Sequence, residues 1–320
     1  MYKSKRIFVA GHNGMVGSAL VRRLRLSGHE NIILKSKSDL NLIDQTAVDE
    51  FYREEAPDVV YIAAAKVGGI YANSHYPADF IYQNLMIQCN LIQGANSFGV
   101  QDLLFLGSSC IYPLESKQPI TEGELLRGAL EKTNEPYAIA KIAGIKLCES
   151  LNHQYQRRYR CVMPCNLYGP GDSFHPENSH VIPSLIYRFH TAKISCLSEV
   201  AVWGSGTPRR EFLYVDDLAS ACLHVMRLED GVRVNNSMPT EFMFNIGSGK
   251  DVSIAQLAIL IADVVGYGGD IVFDKSKPDG TQRKLLDISV IRELGWKMEV
   301  PLREGIKLTY DWYVNNVFSK

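Results

Sequence analysis

The chain has 320 residues, 46% of them hydrophobic and 22% charged, a balance that excludes a disordered chain and supplies core for one large domain or two modest ones. With 34 basic residues against 35 acidic ones the net charge is −1, so no global field favours nucleic acid or an anionic membrane, and any anion must be held by a local arrangement. No run approaches the ~18 uninterrupted apolar residues of a membrane helix, and the apolar run near the start is far shorter than a secretory h-region, so a cytoplasmic protein is expected.

RIFVA reads as a buried strand and runs straight into GHNGMVGSALVRRL, where Gly11, Gly14 and Gly17 recur as G-x-x-G-x-x-G. At a strand-to-helix junction such glycines permit a tight turn and let the backbone approach a pyrophosphate seated on the helix N-terminal amides. Standing at the head of a βαβ unit, the turn predicts dinucleotide binding. The next strand, NIILK, ends in KSKSD. An NAD site usually carries an acidic residue at this tip to hold the ribose 2′-hydroxyl; here Lys35 and Lys37 precede Asp39. Two ammonium groups suit a 2′-phosphate and favour NADP, the bland alternative being a solvated lysine pair.

Helix TAVDEFYREEA, strand DVVYIAAA, helix NLIQGANSFG and strand DLLFLGSS continue the alternation. This is the rhythm of an α/β fold with a Rossmann-type doubly wound parallel sheet and helices on both faces. DLLFLGSSCIYP carries the chain out of its strand to Ser108, Ser109 and Cys110, and reacting groups in an open parallel sheet gather just beyond the strands' carboxyl ends.

NEPYAIAKIAG opens a helix expected over about 137–158, with Tyr137 and Lys141 four residues apart and therefore side by side. Spacing alone decides little, because most Y-x-x-x-K pairs are a core tyrosine beside a solvated lysine. The functional reading is that Lys141 lowers the phenol's pKa from about 10 and makes it a proton donor at neutral pH. Serine, tyrosine and lysine converging there could bind a carbonyl oxygen and protonate it.

RCVMPCNLYGPG reads as a buried strand ending in a turn. The texture then becomes polar and proline-punctuated, with helix VIPSLIYRFHTAK inside it, as in a substrate-side insertion. Helix DDLASACLHVMRLE and strand FMFNIG return to the first domain, and DVSIAQLAILIADVVG onward joins the insertion. The expected division is a dinucleotide-binding domain over 1–168 plus about 211–248, and a smaller α/β substrate lobe over about 169–210 plus 249–320. The seven cysteines are scattered without a C-x-x-C pair, which fits reduced thiols. The eight histidines form no metal-ligand spacing, so no metal is expected.

GHNGMVGS, GSSCIYP, YAIAK and NLYGPGD together resemble the extended short-chain dehydrogenase/reductase superfamily, in which Ser, Tyr and Lys form the catalytic set. The blocks AAAKVGGIYAN, YPADFIYQN, NEPYAIAKIAG, NSHVIP, VWGSGTPRREF and KPDGTQRKLLD resemble, over nearly the whole chain, its GDP-4-keto-6-deoxy-D-mannose 3,5-epimerase/4-reductases, makers of GDP-L-fucose. That resemblance implies an NADPH-dependent enzyme acting on a GDP-sugar. It makes Tyr137 the general acid at the 4-keto oxygen and Ser108 a hydrogen-bond partner of that oxygen. Lys141 would tune the tyrosine and hold the nicotinamide ribose. Cys110 and His180 take the positions of the proton-transfer pair for carbons 3 and 5, which side-chain chemistry alone would not have singled out.

The cofactor positions it implies begin with Gly11, His12, Asn13, Gly14, Met15, Val16 and Gly17 in the first turn. Lys37, Asp39, Leu40 and Asn41 follow the second strand. Leu106, Gly107 and Ser109 follow the fourth, and Lys141, Pro164, Asn166, Leu167 and His180 complete the set. Arg188, Trp203, Arg210, Asp279 and Lys284 match substrate positions, where guanidinium groups clamp a pyrophosphate and tryptophan offers a flat face; Arg209 and Arg283 fit solvated surface charges better. Asn13 departs from the family, whose members carry an arginine there that contributes to NADP preference. A GDP-L-colitose synthase or another GDP-4-keto-sugar enzyme would use the same residues, whereas a non-catalytic NADP-sensing module would tolerate a broken Y-x-x-x-K. The resemblance also implies a homodimer joined through a four-helix bundle of the first domain's long helices.

Overall fold

The computed structural model describes residues 4–69, 73, 75–175, 179–229, 242–277 and 279–319. Parts of three motifs, at 70–72, 178 and 278, fall outside the described residues.

The larger layer follows the expected rhythm. Strand β1 (Ile7–Ala10) leads to helix α1 (Met15–Leu26), β2 (Ile32–Ile33) to α2 (Gln45–Glu55), and β3 (Val59–Ile62) to α3 (Pro77–Ser97). Then come β4 (Asp102–Leu106), α4 (Glu135–Tyr155) and β5 (Arg158–Pro164). Every residue of β1, β3 and β4 is buried, as strands covered on both faces must be. Helix boundaries have local causes. The Asp44 carboxylate caps α2 by accepting from the amides of Thr46 and Ala47 at 2.9 and 3.2 Å, satisfying donors that a helix leaves free. Helix α4 runs from 135 to 155 rather than 137 to 158, because Pro136 is accommodated in its first turn and Gln156 turns left-handed at φ 55°.

Four further elements build the smaller layer, β6 (Asn166–Tyr168), α5 (Val181–Ile194), β7 (Glu199–Trp203) and β8 (Arg209–Tyr214), and α6 (Val215–Arg227) comes next. Helix α6 and β9 (Met243–Ile246) return to the large layer, and β10 (Asp251–Ser253), α7 (Ile254–Val265), β11 (Asp270–Asp274), β12 (Arg283–Lys284), α8 (Ser289–Glu293) and α9 (Leu302–Tyr313) follow. Strand β7 lies in a stretch read from the sequence only as polar insertion, and β8 straddles the end expected for that stretch at about residue 210.

The main sheet is wholly parallel, in the order β2-β1-β3-β4-β5-β9. From β1 the chain steps outward to β2 and then crosses back to β3 on the other side. The reversal opens a crevice at the carboxyl ends of β1 and β3, where such sheets bind ligands. Smaller pairings surround it: β8 lies between β10 and β12 and also pairs with β6, while β11 pairs with β7.

Two apolar cores result. The first gathers the main sheet with α1, α2, α3, α4 and α6, and the second centres on Ile186, Phe189, Leu257, Ile261 and Ile306. Leu286, Ile288, Ile291 and Trp296, which the sequence reading assigned to the smaller lobe, pack into the first core. Polar bonds fix that return: the Trp296 indole donates to Ser220 Oγ at 2.9 Å, and Asp217 accepts from the amides of Glu299 and Val300 at 2.9 and 3.0 Å.

Candidate active site

The first turn is built as its glycines predicted, each for a different reason. Gly11 has φ +84°, and a Cβ there would lie 2.7 Å from the Ala64 backbone. A Cβ on Gly17 would collide with the Gly11 carbonyl oxygen. Gly14 is different: its nearest neighbour would be that oxygen at 3.4 Å, an ordinary contact. The protein's own packing therefore does not require glycine at 14, and the open space lies at the N-terminus of α1. That terminus has no side-chain cap and no acidic residue in its first turn, so its amides and dipole are left for an anion. His12 Nδ1 is also buried without a hydrogen-bond partner among the described residues. The turn fits a dinucleotide pyrophosphate.

The second tip corrects one expectation. Lys35 is paired with Glu55, its Nζ 2.8 Å from Oε1, so the two lysines are not the equal, solvated ammonium groups that the sequence presents. The Asp39 carboxylate accepts from Ser36 N and Oγ at 3.0 and 2.6 Å, bonds that hold its pKa below the usual range. Lys37 remains exposed at the tip, Asn41 Oδ1 accepts from Ile43 N at 3.3 Å, and Leu40 points into the core.

The catalytic candidates meet at the carboxyl end of β4. Lys141 is 3% exposed, and its Nζ donates to the carbonyl of Leu106, the last residue of β4, at 2.8 Å. The ammonium also lies 4.7 Å from the Phe105 ring centroid and 5.7 Å from that of Tyr137. This anchor docks the Tyr-Lys face of α4 beside Ser108 and Cys110. Ser108 Oγ accepts from the Cys110 amide at 3.2 Å, leaving the hydroxyl proton for another acceptor. Gly107 is tightly confined, since a Cβ would collide with Met163 Sδ. Ser109 and Pro164 are buried at the ends of β4 and β5, and Asn166 and Leu167 follow in β6. Asn166 Nδ2 donates to Glu211 O at 2.8 Å.

Electrostatics correct a second expectation. Lys141 does not lower the Tyr137 pKa; burial, with the neighbouring Cys110 thiol, pushes it well above the ordinary 10. Lys141 is itself brought down to about 8 by desolvation. Both shifts follow from burial, which penalises whichever form is charged. Tyr137 is therefore protonated throughout the physiological range. His180 stands at the start of α5, open to solvent, yet enough protein surrounds its ring that desolvation lowers its pKa.

A recess open to solvent adjoins this cluster, lined by Cys110, Tyr112, Gln118, Asn134, Thr281 and Lys284 among others. Its two walls come from distant sequence and are tied together by Asn245, a fully buried residue on β9. The Asn245 side chain accepts from Tyr112 OH at 2.5 Å and donates to Ile120 O and Asp287 O at 2.9 and 3.2 Å, while its amide donates to Glu122 Oε1 at 2.9 Å. Leu285 N donates to Gln118 Oε1 at 2.8 Å. Glu211, also fully buried, accepts from Gly249 N and Leu286 N at 2.6 and 2.9 Å.

The substrate candidates cluster farther out, around β7 and β8. The Arg188 guanidinium carbon lies 4.6 Å from the Trp203 ring centroid, and Asp279 accepts from Ser205 N and Oγ at 2.9 and 2.7 Å. Arg210 neighbours Asp279, and burial lowers its pKa. Arg209 and Arg283 both bind Asp251, at 2.9 and 2.5 Å, so they are structural partners rather than solvated charges. Among the described residues no group of His, Cys, Asp and Glu could hold a metal.

Sequence reading missed Asn245 and Glu211. Their partners lie far along the chain, and no local pattern marks them.

A dinucleotide cradle beside a Tyr-Lys pair with a buried lysine, at the switch point of a doubly wound sheet, defines a nucleotide-cofactor enzyme acting on carbonyl or hydroxyl carbon. The model of the NAD dependent epimerase/dehydratase family matches residues 7–247, and the chain belongs to that family. It is 58% identical to the GDP-L-fucose synthase of Escherichia coli (strain K12), over 98% of this chain and 97% of that one. Among solved structures, a GDP-6-OMe-4-keto-L-xylo-heptose reductase from C. jejuni superposes with TM-score 0.92 at 36% identity, covering 98% of this chain and 99% of the other. A GDP-L-fucose synthetase from Naegleria fowleri bound to NADP gives TM-score 0.87 at 26% identity, covering 100% and 97%.

Proposed function

We propose that this protein converts GDP-4-keto-6-deoxy-D-mannose to GDP-L-fucose, epimerising carbons 3 and 5 and then reducing the 4-keto group with NADPH. The observation that carries the reading is the docking of Lys141 on Leu106 O, which sets Tyr137 beside Ser108 and Cys110 at the sheet's switch point. The 58% identity with the E. coli enzyme supports the particular substrate, and the NADP bound to the Naegleria relative supports the cofactor.

When bound, NADPH supplies the hydride for carbon 4. The turn at Gly11–Gly17 would hold its pyrophosphate, and Lys37 its 2′-phosphate. Lys141, at a pKa of about 8, retains most of its proton near neutral pH and can turn from Leu106 O to a ribose hydroxyl. Ser108 donates to the keto oxygen. Tyr137 keeps its proton until charge develops on that oxygen, and then delivers it. Carbons 3 and 5 flank the same carbonyl and are acidified by it, so Cys110 and His180 need only exchange protons with them. The lowered pKa of His180 keeps its imidazole neutral and able to accept.

We assign the protein to the cytosol; no helix among the described residues is long and apolar enough to cross a membrane. We further propose a homodimer through α3 and α4, whose outer faces leave Tyr82 58% and Ile139 42% exposed; sedimentation showing one chain per particle would remove this part. The division into a cofactor domain and a substrate lobe is proposed on the two separate cores.

The test is turnover of the keto sugar with NADPH in D₂O, followed by NMR of the product. Deuterium at carbons 3 and 5 with NADPH oxidation supports the full reading. Reduction without label would make the protein a simple 4-reductase, as the name of its C. jejuni neighbour suggests for that enzyme. Turnover of the 3-deoxy sugar alone, with label at carbon 5, would favour a colitose-type enzyme.

A further inference from the structure

Trp203 ends β7 and is 51% exposed, yet two cations converge on its ring. Arg188 reaches it from α5, and the Lys277 ammonium lies 5.5 Å from the same centroid. Topology explains the second. Strand β11 pairs with β7 so that Asp274 lies opposite Trp203, and the turn that follows β11 brings Lys277 N to Asp274 O at 3.2 Å, over the tryptophan.

The carboxylates nearest these cations, Asp274 and Asp279, attract Lys277 and Arg210 through space but take their hydrogen bonds from serines. Asp274 Oδ1 accepts from Ser276 N and Oγ at 3.0 and 2.6 Å, and Asp279 is held by Ser205. Among the described residues, Arg188, Lys277 and Arg210 form no ion pair with a carboxylate. Arg188 Nη1 donates only to Ala201 O, at 3.1 Å, and Arg210 Nη1 to Arg209 O, at 2.8 Å. Like charges crowded at one exposed ring repel each other, and a cation resting on an exposed aromatic face is weakly held. An arriving dianion relieves the repulsion and replaces a weak contact with charge-assisted hydrogen bonds.

We propose that Lys277 is a further substrate-binding residue: its ammonium leaves Trp203 and binds the diphosphate of the nucleotide-linked substrate, completing a clamp with Arg188 and Arg210. The inference rests on the reading of the substrate as a GDP-sugar and adds to it a residue that selects the diphosphate.

Calorimetric titration of the full chain with GDP and with guanosine, in wild type and Lys277→Gln, tests it. The expected result is a loss of about tenfold in GDP affinity, with guanosine affinity changed less than about twofold and Lys277→Arg recovering most of the loss. NADPH affinity should be the same in all three, which controls for folding. Equal GDP affinity in wild type and Lys277→Gln would overturn the proposal, as would equal losses for GDP and guanosine, which would mean that Lys277 only steadies the tryptophan. A wild-type protein that binds no GDP would overturn the substrate reading itself, and that failure appears before any variant is compared.

Discussion

Tyr137 and Lys141 are neighbours whose burial works in opposite chemical directions: it protects the phenol's proton and loosens the ammonium's. The division of labour in the proposed reaction can be read from this contrast. Removing the phenolic oxygen should stop proton delivery to the keto oxygen without touching the exchange at carbons 3 and 5. Tyr137→Phe is therefore expected to lose about 10²-fold or more of NADPH oxidation while still incorporating deuterium, whereas Cys110→Ala and His180→Ala lose the label. Glu211 offers a test on stability. Its carboxyl is raised to about 7 by burial against an ordinary 4.5, so between those values the folded chain keeps a proton that the unfolded chain has released. Stability from this group is thus fully present below pH 4.5 and is lost as pH rises toward 7. Glu211→Gln should remove on the order of 2 kcal/mol of that pH dependence, measured as a smaller difference between urea midpoints at pH 5 and pH 7.5.

Among the elements, the strand-turn-helix at the start of the chain separates two uses of glycine. Gly17 is demanded by the fold, because its Cβ would strike the Gly11 carbonyl. Gly14 is not, because its Cβ would meet nothing closer than 3.4 Å. Gly14→Ala should leave the thermal midpoint within about 2 °C of wild type while weakening NADPH by about tenfold, and Gly17→Ala should lower both. This turn and the Y-x-x-x-K helix were legible from sequence because their spacing is local, a strand running into a glycine turn and two side chains one helical turn apart. Legibility fails where a partner is remote. KSKSD presented two lysines as equals, but Glu55, on the next helix, claims Lys35. The Tyr-Lys spacing implied a lowered tyrosine pKa, but the depth at which α4 lies against β4 reverses the direction. Strands β7 and β8 went unread because each is short and β8 opens on two arginines, the first of which takes its carboxylate partner, Asp251, from elsewhere in the fold.

At the scale of the molecule, the Asn245 hub holds together the two walls of the recess. Replacing it with leucine would strand Tyr112 OH and the carbonyl of Asp287 in a buried setting, while Ile120 O would keep only its bond from the Asp287 amide. At about 1–3 kcal/mol for each unpartnered group, Asn245→Leu should cost roughly 3 kcal/mol or more of unfolding free energy. In the fraction that remains folded, KM for the keto sugar should rise more than KM for NADPH, since the hub serves the substrate side. Steady-state kinetics with each reactant varied separately would measure that split.

The same hub bears on how the enzyme is born. Ile120 hydrogen-bonds Leu285 in one direction and Asp287 in the other, so the wall beside Cys110 is finished by residues that leave the ribosome more than 160 positions later. A nascent chain can assemble its glycine turn and first strands early in synthesis, but the recess closes only when the last helices are being made. A chain interrupted near residue 280 would lack both one wall of the recess and the part of the first core that Leu286, Ile288, Ile291 and Trp296 supply, so the cofactor side and the substrate side are completed together.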